Sequence, residues 1–215
     1  MRVARGFHRL HIRRFHVSSP RSMPLVIISP AKSLNELPCP SVWPKTTPRF
    51  ATESVEIAAH AKKLTKDSLK SLMSVSDAIA TLNVQRFQEF HTAHTKPCAL
   101  CFDGPAYKAL DAKSWTNEDV TFASKHIRFL SGLYGLLTPS DAIAPHRLEM
   151  STKLKTTRGD NLYQFWGEQL ADAIAEDLNL LPPTERFVVN VASAEYWRAA
   201  NSGVLEARHE IRVIH

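Results

Sequence analysis

Leu25-Val-Ile-Ile28-Ser29-Pro30-Ala31-Lys32-Ser33 is the stretch on which the fold turns. Four apolar residues, three of them β-branched, stop at a Ser-Pro pair, and this combination reads as a buried strand with its end marked. Ser29 and Lys32 then lie just past the carboxyl end of that strand, where α/β-type sheets gather their ligands.

Upstream, residues 1–22 contain Arg2, Arg5, Arg9, Arg13, Arg14 and Arg21 and no acidic residue. That composition, with scattered Ser, His and apolar residues, is that of a mitochondrial transit peptide and lacks the unbroken apolar stretch of a secretory signal. Arg13-Arg-Phe15-His-Val-Ser18 resembles the R-x-F-x-x-S pattern of two-step processing, which would leave Met23 as the new N-terminus. These six arginines also account for the formal charge of +6: the rest of the 27 basic residues equal the 21 acidic ones. Residues 23–215 are thus neutral as a whole, and global charge does not single out a nucleic acid.

Downstream, Pro38, Pro40, Pro44 and Pro48 predict an extended surface loop over 36–49. Helical spacing follows at 52–64, 66–73 and 76–90, with Thr65 as an N-cap. The run 99–102 reads as a strand, and Asn117 opens a helix whose apolar face includes Phe122, Ile127 and Leu130. Gly132 and Gly135 bracket a tight element. Residues 161–180 read as one amphipathic helix burying Leu162, Phe165, Trp166 and Leu170. Apolar runs at 187–191 and 211–214 give two more strands. Strands and helices alternate without repeats, so the fold class is mixed α/β (α+β), a compact single domain with helices around a mixed sheet.

The chain has three cysteines, an odd number too small for a disulfide framework. Cys98 and Cys101 form a C-x-x-C, but on a strand they would face opposite ways, so they read as small buried hydrophobes. The ten histidines include no H-x-x-x-H or H-E-x-x-H, and no metal or cofactor is predicted.

Segments met in order along the chain give a family resemblance. They are Ser29-Pro-Ala-Lys32-Ser33, Phe102-Asp-Gly104-Pro-Ala-Tyr107, Leu130 through Asp141 with Arg147-Leu-Glu149-Met150, Leu162-Tyr-Gln-Phe-Trp166, and Asn190-Val-Ala-Ser193-Ala-Glu195-Tyr196. Together they resemble the YaaA peroxide-stress family over nearly all of residues 23–200. Thr138, His146 and Ser151 depart from its usual Arg, Tyr and Gly. Family members also continue through further strands and a basic segment, so 23–215 is expected to be a family domain incomplete at its C-terminus. The resemblance implies a helix-hairpin-helix element, a positive cleft that binds DNA non-specifically, and a role in limiting peroxide damage. It brings no settled reaction, and it implies a cytosolic location, as in bacterial relatives, if the N-terminal extension is not a targeting signal.

Two functions from different classes follow. In the first, Leu69 through Ala80 matches the spacing of a phosphate-binding helical hairpin, with Ser74 and Ser76 at the glycine positions and Lys66 and Lys70 flanking. Asp77 would repel a phosphate there, and an ordinary hairpin with Ser76 as an N-cap fits the same residues. In the second, an enzyme acts on a phosphorylated or nucleotide-like small molecule. Ser29, Lys32, Arg147 and Ser193 would hold the anion, with Lys32, Arg147 and Glu195 as catalytic candidates.

Overall fold

The computed structural model describes residues 23–38, 43–200, 203–209 and 211–215. Residues 1–22, expected to be a targeting segment, lie outside the described residues. In chain order the elements are β1 (Leu25–Ile28), β2 (Ser33–Leu34), α1 (Ala51–Ala61), α2 (Lys66–Met73), α3 (Asp77–Gln88), β3 (Lys96–Pro97), α4 (Cys98–Cys101), β4 (Phe102–Asp103) and α5 (Pro105–Leu110). They continue with α6 (Asn117–His126), β5 (Ile127–Ser131), β6 (Gly135–Leu137), β7 (Ala142–Ile143), α7 (Leu162–Trp166), α8 (Gln169–Asn179), β8 (Phe187–Asn190), α9 (Ala194–Ala200), α10 (Val204–His209) and β9 (Arg212–Ile214). None of the described helices is long and apolar enough to cross a membrane.

The expected first strand is the centre of the fold. β1 lies in the middle of a five-stranded sheet ordered β6-β5-β1-β8-β9, with Leu25 and Ile27 fully buried. β5 and β8 flank β1 and run parallel to it, β9 runs parallel to β8, and β6 returns antiparallel to β5. Successive Cα pairs Val26↔Ile127 and Val26↔Val189 fix the register on both sides. From β1 the chain goes first to β5 on one side and only later to β8 on the other, so the strand order reverses at β1. In open α/β sheets that reversal opens a crevice beyond the carboxyl ends of the strands.

Several expectations need correction. α6 stops at His126, and Ile127 and Leu130 belong to β5 and not to a helical face. Phe122 is 48% exposed, and the buried face of α6 is Val120, Ala123 and His126. The strand was masked by Arg128, a charged residue in a buried run. It is tolerated because its Nε donates to Asp177 Oδ2 at 2.7 Å while Arg49 takes Oδ1, so no buried charge stands alone. Residues 161–180 form two helices, because Gly167 takes a left-handed φ of 51° between α7 and α8. The apolar face is nevertheless as expected, with Leu162, Phe165, Trp166 and Leu170 all buried.

The run 99–102 is a single helical turn, α4, leading into the two-residue β4. Bonds from Cys98 N to Asp141 O and from Ala99 N to Pro139 O tie that turn to the segment before β7. On a helical turn Cys98 and Cys101 share a side, so the opposite-face argument fails. Both are buried free thiols, and burial pushes Cys101 up to about 11, which keeps it from thiolate chemistry. Within the Pro-rich loop, Trp43 is buried and stacks on Trp115 at 5.8 Å, so the loop is anchored, not simply laid over the surface.

Candidate functional site

Three parallel strands end side by side, and the residues that follow each of them line one cavity of about 330 Å³. Ser29 to Lys32 come from the end of β1, Ser131 from the end of β5, and Ser193, Glu195 and Tyr196 from the loop after β8 and the start of α9. The segment His146 to Glu149 closes the fourth side. All of the expected anion residues, Ser29, Lys32, Arg147 and Ser193, and the acid Glu195 line this one cavity.

Local bonds explain the arrangement. Ser29 Oγ accepts from Ser193 N at 2.8 Å and lies 3.3 Å from Ser193 Oγ, which pins the loop after β1 to the loop after β8. Tyr107 donates its hydroxyl to Ser29 O at 2.6 Å, and burial raises its phenol well above the ordinary range. Tyr163 donates to Glu195 O, and Glu195 Oε1 accepts from Ser151 N at 3.0 Å. Gly132 lets the His146–Glu149 segment lie against the end of β5: a Cβ there would run into the Leu148 carbonyl oxygen. Trp166 Nε1 donates to Gly132 O at 3.1 Å, which anchors the same turn from α7.

The charges converge on one atom. Lys32 Nζ and Arg147 Nη2 both reach Glu149 Oε1, at 3.3 and 3.1 Å. Lys32 is 68% exposed at the rim, whereas Arg147 is 21% and Glu149 23% exposed. A lysine carries three donors and an arginine five, so one carboxylate oxygen leaves most of them unspent. Arg147 Nε is buried and has no acceptor among the described residues. A buried donor without a partner costs about 1–3 kcal/mol.

His146 adds no charge to the cavity near neutral pH. Burial pushes it down to about 4, and its Nδ1 sits 2.9 Å from Ala144 O, so that nitrogen carries the proton. Its Nε2 then faces the Ser131 hydroxyl at 3.5 Å, and Ser131 Oγ itself accepts from Leu133 N and Tyr134 N.

The α2–α3 hairpin lies apart from this cavity. Thr65 caps α2 as expected, and Ser76 Oγ caps α3 by accepting from Ile79 N. Ser74 between them is left-handed at φ 51°. Lys66 and Lys70 both pair with Asp77, Lys66 at 3.0 Å. The two lysines hold Asp77 down to about 2.

Sequence reasoning missed Ser131, which sits inside an apolar run and reads as core, and Tyr196, an aromatic residue beside Trp197 that reads as core in the same way. It also missed Asn83. The signal for Asn83 was available: it is the one polar residue on the buried face of α3, between Ala80 and Phe87. Among the described residues no group of three or more His, Cys, Asp or Glu side chains could hold a metal ion.

The model of the family described as Peroxide stress protein YaaA matches residues 24–215. UPF0246 proteins of Burkholderia mallei (strain SAVP1) and Burkholderia pseudomallei (strain K96243) are each 40% identical over 188 residues, covering 86% of this chain and 72% of the relative. A UPF0246 protein of Burkholderia thailandensis is 39% identical over the same length and shares.

Proposed function

From its membership of the YaaA peroxide stress family, we propose that this chain serves in protection against peroxide by binding a small phosphate-bearing, nucleotide-like ligand at the ends of β1, β5 and β8. One observation carries the reading: Ser29, Lys32, Arg147 and Ser193, far apart in sequence, line one cavity at the point where strand order reverses. Lys32 and Arg147 bind the phosphate oxygens through the donors that Glu149 leaves unspent. The Ser29 and Ser193 hydroxyls complete the cradle, and Glu195 accepts a ligand hydroxyl or acts as a base. The cavity volume falls within the range usual for small-ligand sites.

A second reading has an observation of its own. Left-handed Ser74 and the Ser76-capped start of α3 support a phosphate-binding turn, although Ser74 N, Val75 N and Ile79 N already donate within the hairpin. Asp77 holds both flanking lysines much as Glu149 holds Lys32 and Arg147, but the hairpin groups are exposed whereas Arg147 and Glu149 are largely enclosed, which ranks this surface below the cleft.

A peroxide-sensitive bacterial strain lacking its own family member separates the two. Wild type and the Lys66→Ala/Lys70→Ala variant should restore growth in peroxide, and Lys32→Met/Arg147→Met should not. Rescue by the cleft variant together with failure of the hairpin variant would move the function to DNA. We further propose that residues 1–22 direct the chain to mitochondria. A fluorescent protein fused behind them should co-localise with a mitochondrial stain, and a diffuse signal would refute the assignment.

A further inference from the structure

We propose that Asn83 is the positioning residue of the cleft, holding the Arg147–Glu149 segment in place from α3. Asn83 is fully buried in the middle of that helix, where an apolar side chain would pack without the cost of burying an amide. Both ends of its amide are used. Nδ2 donates to Ile79 O at 2.8 Å within the helix, and Oδ1 accepts from Arg147 N at 2.8 Å, 64 residues away. The second bond defines the role, because it gives the main-chain N–H of Arg147 a partner that no strand supplies.

The other anchors of the segment lie to either side of Arg147. Tyr134 Oη accepts from Ala144 N at 2.9 Å, Gly132 allows close contact with Leu148, and Thr152 N closes on Glu149 O. Asn83 bonds the main chain of the residue whose guanidinium reaches Glu149 and the cavity. Without it the Arg147 backbone is free to rotate its side chain out of register with Lys32, although every residue lining the cavity is still present.

The ligand side of this inference rests on the cleft being an anion site, while the backbone side does not. Hydrogen exchange on the full chain tests the backbone. Asn83→Leu should speed exchange in a peptide covering 144–149 about tenfold, the factor that accompanies loss of one ordinary hydrogen bond. Asn83→Asp, measured at a pH low enough to keep its buried carboxyl protonated, retains both the acceptor for Arg147 N and a donor for Ile79 O and should restore protection to within about threefold of wild type. Asn83→Ala serves the same purpose should the leucine variant fail to fold. Exchange at 144–149 unchanged in the leucine or alanine variant, or equally fast in the aspartate variant, overturns the inference. Titration of adenosine monophosphate then tests the ligand side, with binding about tenfold weaker in Asn83→Leu and largely restored in Asn83→Asp. Accelerated exchange with undiminished binding would leave Asn83 as a purely structural anchor and overturn its role in the cleft. If wild type itself binds no adenosine monophosphate, the cleft reading falls, and exchange alone still decides whether Asn83 holds the segment.

Discussion

Two neutral polar residues set the character of the cleft as much as its charges do. Ser29 joins the loops after β1 and β8, and the buried His146 lines the cavity without charge near neutral pH. The charged residues Lys32, Arg147 and Glu195 stand out in the sequence because they interrupt apolar or Pro-rich segments, whereas Ser131 and Asn83 are hidden inside patterns dominated by core packing. His146 gives a residue-scale prediction. Burial pushes it from about 6.5 to about 4, so as pH falls below 6.5 the unfolded chain takes up the proton first. The stability that neutral His146 contributes is present above 6.5 and is lost as pH falls towards 4, by up to about 3 kcal/mol at about 1.4 kcal/mol per unit. His146→Gln keeps a polar group of similar reach without that titration. Urea midpoints at pH 7.5 and 4.5 should therefore differ less in the variant than in wild type. Equal differences would show that His146 does not titrate in this way.

Whole elements were more legible than their partners. β1, α2, α3 and β8 lie within two residues of their expected bounds because each has a clear apolar period and a recognisable cap or stop. β5 was lost because it follows α6 without a break and carries Arg128, whose neutralisation by Asp177 only the folded chain provides. The turn at Cys98 and the break at Gly167 depend on tertiary bonds and a single positive φ, which apolar periodicity does not encode. The α2–α3 hairpin was legible in shape but not in charge. Asp77 takes both lysines, and all three side chains are exposed, so the pairs cost little to open. If this hairpin binds duplex DNA, Asp77→Asn should strengthen binding by freeing the lysines. Lys66→Ala/Lys70→Ala should weaken it equally on every sequence and flatten the salt slope by up to about two units. Gel-shift measurements at two salt concentrations read both effects. Indifference of DNA affinity to all three substitutions would remove the hairpin from any nucleic-acid role.

At the scale of the molecule, the sequence shows strands and helices alternating but not the order in which the strands lie. β1 pairs with β5 and β8 across roughly one hundred or more residues, and no local pattern states which side each takes. Once that order is known, the scattered Ser29, Lys32, Arg147, Ser193 and Glu195 fall around one cavity. The central claim is that this site holds a phosphate-bearing small molecule, and calorimetric titration of adenosine monophosphate into residues 23–215 tests it most directly. Wild type and Lys66→Ala/Lys70→Ala should bind alike. Arg147→Met, which removes a charge-assisted bond to the phosphate, should weaken binding about tenfold or more. Binding that is unchanged in Arg147→Met, or absent in wild type, would contradict the account.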